Sequence, residues 1–218
     1  MSREGVVHHS QFIILNYFPM ARPKGPTLTR SAIVDAAIAV LRSDGQLGLG
    51  INRVARELGI QPPSMYNHVK GNDDLYRLVA LYGWQQFLAY AEAALEPGLL
   101  KPTMTSREQL MAVALSYRQC AKDYPELLTI ATSHRMSLDD VEFATLYEGV
   151  MQLYTNALLP WGFSESDIIH SARMFNAAYC GYAQLESNRI FQRSQSLDES
   201  YEWMIVRLID ALEQQKSA

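Results

Sequence analysis

Apolar residues recur at helical spacing along most of this chain, and no stretch alternates apolar and polar positions as a half-buried strand would. After Thr29, a good N-cap, come Ile33, Ala36, Ala37, Val40 and Leu41, and Asp44-Gly45 stops the run. A short helix is expected over 54–58, with Val54, Ala55 and Leu58 inward and Asn52, Arg53 and Arg56 outward, ended by Gly59. A second short helix starts at Pro62 or Pro63 and runs to about His68, with Met65 and Val69 inward. A long helix follows over 73–95, and Pro97-Gly98 breaks it. Five more are expected: one to about Lys122 opened by a Ser106-x-x-Gln109 capping box, and one over 125–132. The next runs to Leu158 and is capped by Ser137-x-x-Asp140. Another, capped by Ser164-x-x-Asp167, ends near Asn188, and the last extends from Asp198 to about Gln214. The expectation is all-α: nine helices, no strands and no internal repeat.

The pair over 54–68, two short helices joined by a tight turn containing Gly, is the pattern of a helix-turn-helix, whose second helix enters the DNA major groove. Three segments follow: 1–26 as an N-terminal extension and basic arm, 27–74 as a three-helix DNA-binding head, and 75–218 as a helical ligand-binding and dimerisation body. With 48% apolar and 19% charged residues, the chain has enough to build a sizeable core. The net charge of −4 argues against nucleic acid until it is divided. Between Met20 and Lys70, seven cations (Arg22, Lys24, Arg30, Arg42, Arg53, Arg56, Lys70) face three acids (Asp35, Asp44, Glu57), so the remainder is strongly acidic. A basic head on an acidic body suits a protein that sets only its head on phosphates.

In the extension, His8-His9 reads as an ordinary tail rather than a metal pair, and Met20 is an alternative start. Arg22-Pro23-Lys24-Gly25-Pro26 is a basic arm that follows a DNA backbone or reaches a minor groove, or else a solvated tail. Two cysteines, Cys120 and Cys180, make no disulfide framework; each sits on an apolar helical face, as buried structural cysteines do. No run reaches transmembrane length, and 12–18, the longest apolar one, lacks the marks of a signal peptide. A cytoplasmic protein with no membrane partner is expected. His134 and His170 lack ligand spacing, so neither metal nor cofactor is expected.

The region 29–75 resembles the tetracycline-repressor (TetR) family of bacterial transcriptional regulators. The residues that carry the resemblance are Val54-Ala55-Arg56-Glu57-Leu58-Gly59-Ile60, Tyr66-Asn67-His68-Val69-Lys70 and Asp73-Asp74-Leu75. In the body, Asp123-Tyr124-Pro125-Glu126-Leu127 and the stretch 175–186 are similar to segments of one ligand-domain class, with Cys180-Gly181 in place of a His-Gly pair. The resemblance implies a homodimer, its last two helices pairing with those of a second copy around a four-helix bundle. It also implies an effector cavity in the body. Asn72 stands where the family usually has a phosphate-contacting Lys, and Lys70 is the candidate substitute.

Direct base readout is assigned to Ser64, Asn67 and Pro63, with Pro62 giving apolar contact only; Asn suits bidentate contact with adenine. Tyr66, with its ring packed below, His68, Lys70, Asn52, Arg53 and the arm residues Arg22 and Lys24 are assigned to the rest of the double-stranded DNA surface, chiefly to backbone. For an apolar or aromatic effector the candidates are Tyr117, Met136, Tyr147, Met151, Tyr154, Phe175, Tyr179 and Tyr182, since surplus tyrosine hydroxyls need partners. Each singly also reads as core. The dimer face is assigned to Ile168, Ala172, Trp203, Val206, Leu208 and Leu212. Two rivals stand beside a dimeric repressor released by its effector: an all-helical enzyme and a protein-binding adaptor, each with a merely structural head. No nucleophile–base pair or phosphate loop favours the enzyme.

Overall fold

In a computed structural model, residues 28–96 and 104–216 are described; Arg22, Lys24, the His8-His9 pair and the Pro97-Gly98 break lie outside them. The helices among the described residues are α1 (Arg30–Asp44), α2 (Ile51–Glu57), α3 (Pro62–Met65), α4 (Asn72–Leu95), α5 (Ser106–Asp123), α6 (Pro125–Ser133), α7 (Val141–Leu158), α8 (Glu165–Ser187) and α9 (Leu197–Lys216). No strand occurs among them. The all-α expectation holds, with two short 3-10 turns, Gln46–Gly48 and Leu159–Trp161, added.

Side chains decide where the helices begin. Thr29 accepts the Ala32 N–H at 3.1 Å, and Ser164 with Asp167 forms the expected capping box. Three expected caps shift. The box that opens α5 is Thr105 with Glu108, whose carboxylate accepts the Thr105 N–H at 2.7 Å, while the Gln109 amide turns back to the Met104 carbonyl. A carboxylate is the stronger acceptor, and Ser106 is buried and helical instead. Asp140 caps α7 by itself, accepting from Glu142 and Phe143. The Ser196 hydroxyl, rather than Asp198, accepts the Glu199 N–H at 3.3 Å at the start of α9.

Two apolar clusters form. The head cluster joins Ile33, Ala37, Val40, Leu49, Ile51, Val54, Met65 and Val69 to Leu75, Leu78 and Val79 of α4 and to Leu127 and Ile130 of α6. The body cluster joins Phe87 and Ala91, farther along α4, to Leu110, Tyr117, Leu128, Leu153, Tyr154, Phe175, Tyr179, Tyr201 and Ile205. The helix α4 therefore belongs to both, and the expected boundary after residue 74 falls within it. Ion pairs continue the join: Arg77 of α4 binds Asp140, and also Glu142 at 2.7 Å, and Arg30 of α1 reaches Glu142 at 2.7 Å.

At the far end of the body, Arg118 of α5 is only 5% exposed. Its guanidinium donates to both Glu186 oxygens at 3.0 and 2.8 Å, pairs with Asp198 at 2.7 Å, and lies 4.8 Å from the Tyr201 ring centroid. A buried cation is tolerated only with such compensation, and here it ties α5 to α8 and α9.

The crossing of α4 over α6 is close because residue 83 is glycine. A Cβ there would meet the Ala131 Cβ at 2.7 Å and the Leu127 carbonyl oxygen at 3.1 Å. Beside it the Trp84 indole N–H donates to the Ala131 carbonyl at 3.2 Å. Gly83→Ala should push the two helices apart and cost about 1–3 kcal/mol of overpacking, read as a lower urea midpoint.

Candidate nucleic-acid interface

The head presents one polar surface, built by the turn between α2 and α3. Gly59 takes φ +67°, and its N–H donates to the Arg56 carbonyl at 3.1 Å, while the Ile60 N–H donates to the Ala55 carbonyl at 3.0 Å. These two bonds close the C-terminus of α2 in a Schellman motif, which a left-handed glycine permits. Pro62 and Pro63 open α3 without wasting a donor. The helix is shorter than expected. It ends at Met65: the His68 N–H donates to the Met65 carbonyl three residues back at 2.9 Å, and farther on the Lys70 N–H donates to the Asp74 carboxylate at 2.9 Å.

That geometry buries Met65 and Val69 and turns Pro63, Ser64, Tyr66, Asn67 and Lys70 outward together with Asn52 of α2; Pro62 and His68 are half-buried. The side chains of Asn52, Ser64, Asn67 and Lys70 make no hydrogen bond to another described residue, so their donors and acceptors face outward. The ring of Tyr66 does not pack below: the residue is 58% exposed.

Two expectations about charge change. Arg53 is not free for a phosphate, since its guanidinium donates to Asp44 at 2.6 Å and to Glu57 at 2.7 Å, and both bonds raise its pKa. The Glu57 partner was visible as an i, i+4 pair. The exposed cation on α2 is Arg56, for which no ion pair occurs among the described residues. Asn72 is a structural residue: its Oδ1 accepts the Ile51 N–H at 3.0 Å, supplying from the start of α4 the cap that Gly50 cannot give α2.

The residues expected around an effector do not surround one cavity. Tyr117, Tyr154, Phe175 and Tyr179 are packed together in the body cluster. The rings of Tyr117 and Tyr179 lie 4.2 Å apart, and the hydroxyls of Tyr154 and Tyr179 share a hydrogen bond of 2.8 Å that Tyr179 extends to Asn176. Burial raises the pKa of all three tyrosines, which keeps these hydroxyls neutral. The Tyr182 hydroxyl donates to the Leu197 carbonyl at 2.7 Å. The hydroxyls thus find protein partners, which removes the reason for supposing a cavity there. Met136 packs on the head cluster, Met151 on the body cluster, and Tyr147 against Phe143. Burial pushes the thiols of Cys120 and Cys180 up to about 12 and about 11, the range of inert cysteines.

The expected dimer face divides as well. Ile168, Ala172 and Leu212 are buried within the chain, in the cluster that α5 and α7 complete. Trp203 is 64% exposed, with Val206 and Leu208 half-buried beside it, so the outer side of α8 and α9 is narrower than the sequence pattern implied.

This architecture, a helix-turn-helix head sharing a long helix with an all-helical body, is that of a TetR-type regulator. Residues 110–208 match the family described as "Tetracyclin repressor-like, C-terminal domain". The chain is 26% identical over 197 residues to the HTH-type transcriptional regulator Rv0681 of Mycobacterium tuberculosis, covering 89% of this chain and 85% of that one. A shorter stretch of 61 residues is 41% identical to the HTH-type transcriptional repressor DrrR1 of Streptomyces coeruleorubidus, covering 28% of this chain and 22% of that one. Among solved structures, a TetR variant from Acinetobacter baumannii AYE in complex with minocycline has a TM-score of 0.65 at 20% identity, over 88% of this chain and 99% of that one. BioQ with its double-stranded DNA operator has a TM-score of 0.63 at 19% identity, over 86% and 99%. At such identities the structural likeness speaks to fold alone.

The Arg77 contact sets a pH dependence for the head–body join. The Arg77 hydrogen bond holds the Asp140 carboxyl below its ordinary 3.8. A depressed carboxylate stabilises the fold above the unfolded value, and that stabilisation disappears as pH falls through the lower folded value. Asp140→Asn should therefore unfold at lower urea than the wild type at neutral pH, and the gap should close as the pH drops below 3.8.

Proposed function

We propose that this protein is a dimeric transcriptional repressor that reads a palindromic operator with the surface around Ser64, Tyr66 and Asn67 and releases it on binding a small apolar effector. The observation that carries the reading is the outward set on α3 and the turn after it, with polar groups unspent on the protein itself and held by a Schellman turn, beside the cations Arg56 and Lys70. Names of relatives and neighbours agree: a repressor, HTH-type regulators and an operator complex.

Ser64 and Asn67 contact base edges in the major groove, while Tyr66, His68, Arg56 and Lys70 contact the phosphate backbone. The exposed Trp203 side of α8 and α9 meets a second copy. Two heads related by that two-fold axis lie about one DNA turn apart, ~34–36 Å, and so select half-sites at that spacing. An effector releases DNA only if it binds the non-DNA state more tightly, and the element it moves is α4, which enters both clusters. No enzyme chemistry is assigned.

A duplex from upstream of the protein's own gene should bind with an affinity that falls steeply as salt rises, and absence of any such binding at low salt would sink the reading. Asn67→Ala should cost about 1–3 kcal/mol on the cognate duplex and relax preference at one base pair. By contrast, Lys70→Ala should weaken cognate and random duplexes alike and reduce the salt slope by about one. Equal losses on both duplexes for Asn67→Ala would remove its readout role.

Asn72→Lys separates structure from contact. Restoring the family's cation should strengthen binding to duplexes of any sequence. Loss of the bond to the Ile51 N–H should lower stability by about 1 kcal/mol, measured by urea denaturation.

A further inference from the structure

A groove of about 540 Å³ opens where α1, α4 and α7 meet, away from the tyrosine cluster of the body. Its floor is Val34, Leu78, Leu81 and Leu146. Val141 stands on its rim with 79% of its surface exposed, although it opens a helix that packs against the body. This volume lies in the range that holds a drug-sized ligand, and its mixture of apolar floor and few polar groups is that of a small-molecule site.

Three polar groups line the groove with bonding capacity unused. None of the Ser31 hydroxyl, the Tyr82 hydroxyl and the Gln85 amide bonds another described residue. Burial, and after it the nearby Asp35 carboxylate, raises the Tyr82 pKa, so this hydroxyl stays a donor. The charged residues that line the groove are Arg30 and Glu142, paired at 2.7 Å; their network extends to Arg77, Asp140 and Asp74, and the Asp35 carboxylate acts on Tyr82. Both guanidiniums are already engaged by carboxylates, and the excess is acidic. An anion finds no free cation here, and an uncharged molecule loses nothing.

We infer that this groove is a binding site for an uncharged aromatic molecule with a hydrogen-bond acceptor, the acceptor taking the Tyr82 hydroxyl proton. The occupant touches head and body at once, through Val34 of α1, Leu81 of α4 and Leu146 of α7. It therefore bears directly on how the head is held, without passing through the packed core around Tyr179. The inference deepens the proposed effector control and rests on that reading for its consequence in DNA binding, though not for the binding itself.

Nile red, a neutral aromatic dye with one carbonyl acceptor, tests it on the full chain by fluorescence titration. The wild type should bind one dye per chain. Thr145→Trp, which fills the groove from an exposed position, should weaken binding at least tenfold with an unchanged thermal midpoint. Tyr82→Phe should weaken it several-fold, and Tyr154→Phe in the body cluster should leave it alone. The anionic dye anilinonaphthalene sulfonate should bind at least tenfold more weakly than Nile red. No saturable binding to the wild type, full affinity in Thr145→Trp, or loss in Tyr154→Phe instead of Tyr82→Phe would each overturn the site. Dye at saturation should also change the affinity of the wild type for its duplex by about fivefold or more, and not that of Thr145→Trp. If the dye binds as expected and no duplex binds at all, the regulator reading fails while the site stands. If duplex binds and dye does not, only the site fails.

Discussion

The close approach of α4 to α6 at Gly83 governs how the two halves of this molecule relate. With no Cβ at that position, Leu127 and Ile130 of α6 reach into the head cluster while the neighbouring Leu128 and Ala131 remain in the body cluster. A short helix thereby wedges between two cores that one long helix already threads. Interiors packed at such density do not deform gradually. A shift of α6 or α7 relative to α4 is therefore felt at α1, and the Arg30–Glu142–Arg77–Asp140 chain adds a second, polar coupling along the same line.

The head shows the opposite economy. Its outward surface on α3 is short and little supported by regular hydrogen bonding, since α3 has four residues. What makes it precise is the closure around it: the Schellman turn before it, Val69 buried after it, and Asp74 gripping the Lys70 amide. Outward side chains are left with their donors and acceptors available because backbone groups nearby are already served. That division of labour is what a base-reading surface needs, as unspent polar groups cost little while water covers them.

How far the sequence discloses this depends on the range of the interaction. Helix periodicity, the Ser164 box and the outward Pro63, Ser64 and Asn67 follow from local spacing, and all appear; Pro62 and His68, expected outward, are half-buried, and Tyr66, expected with its ring packed below, is exposed. The shifted caps at Thr105 and Ser196 turn on which of two near neighbours accepts, whereas other misplaced features depend on partners distant in the chain. Asn72 reads locally as a missing lysine, and its bond to Ile51 spans 21 residues. Arg53 has a local partner in Glu57, but its bond to Asp44 exists only once α1 lies beside α2. The tyrosines of the body have helical spacing whether they line a void or fill one; only the pairing of Tyr154 with Tyr179 decides for a filled core. The groove between α1, α4 and α7 had no local signature, because its walls come from three separated segments.

The burial of Arg118 carries a consequence for the order in which the polypeptide is assembled on the ribosome. The head cluster draws on residues between Ile33 and Ile130, so it can close while synthesis is still in progress. Arg118 is made in that same interval, yet the carboxylates that balance it, Glu186 and Asp198, and the Tyr201 ring that covers it come some seventy to eighty residues later. All residues of the head cluster thus precede those that balance Arg118, and it is the last helix that supplies the Asp198 carboxylate and the Tyr201 ring over that charge.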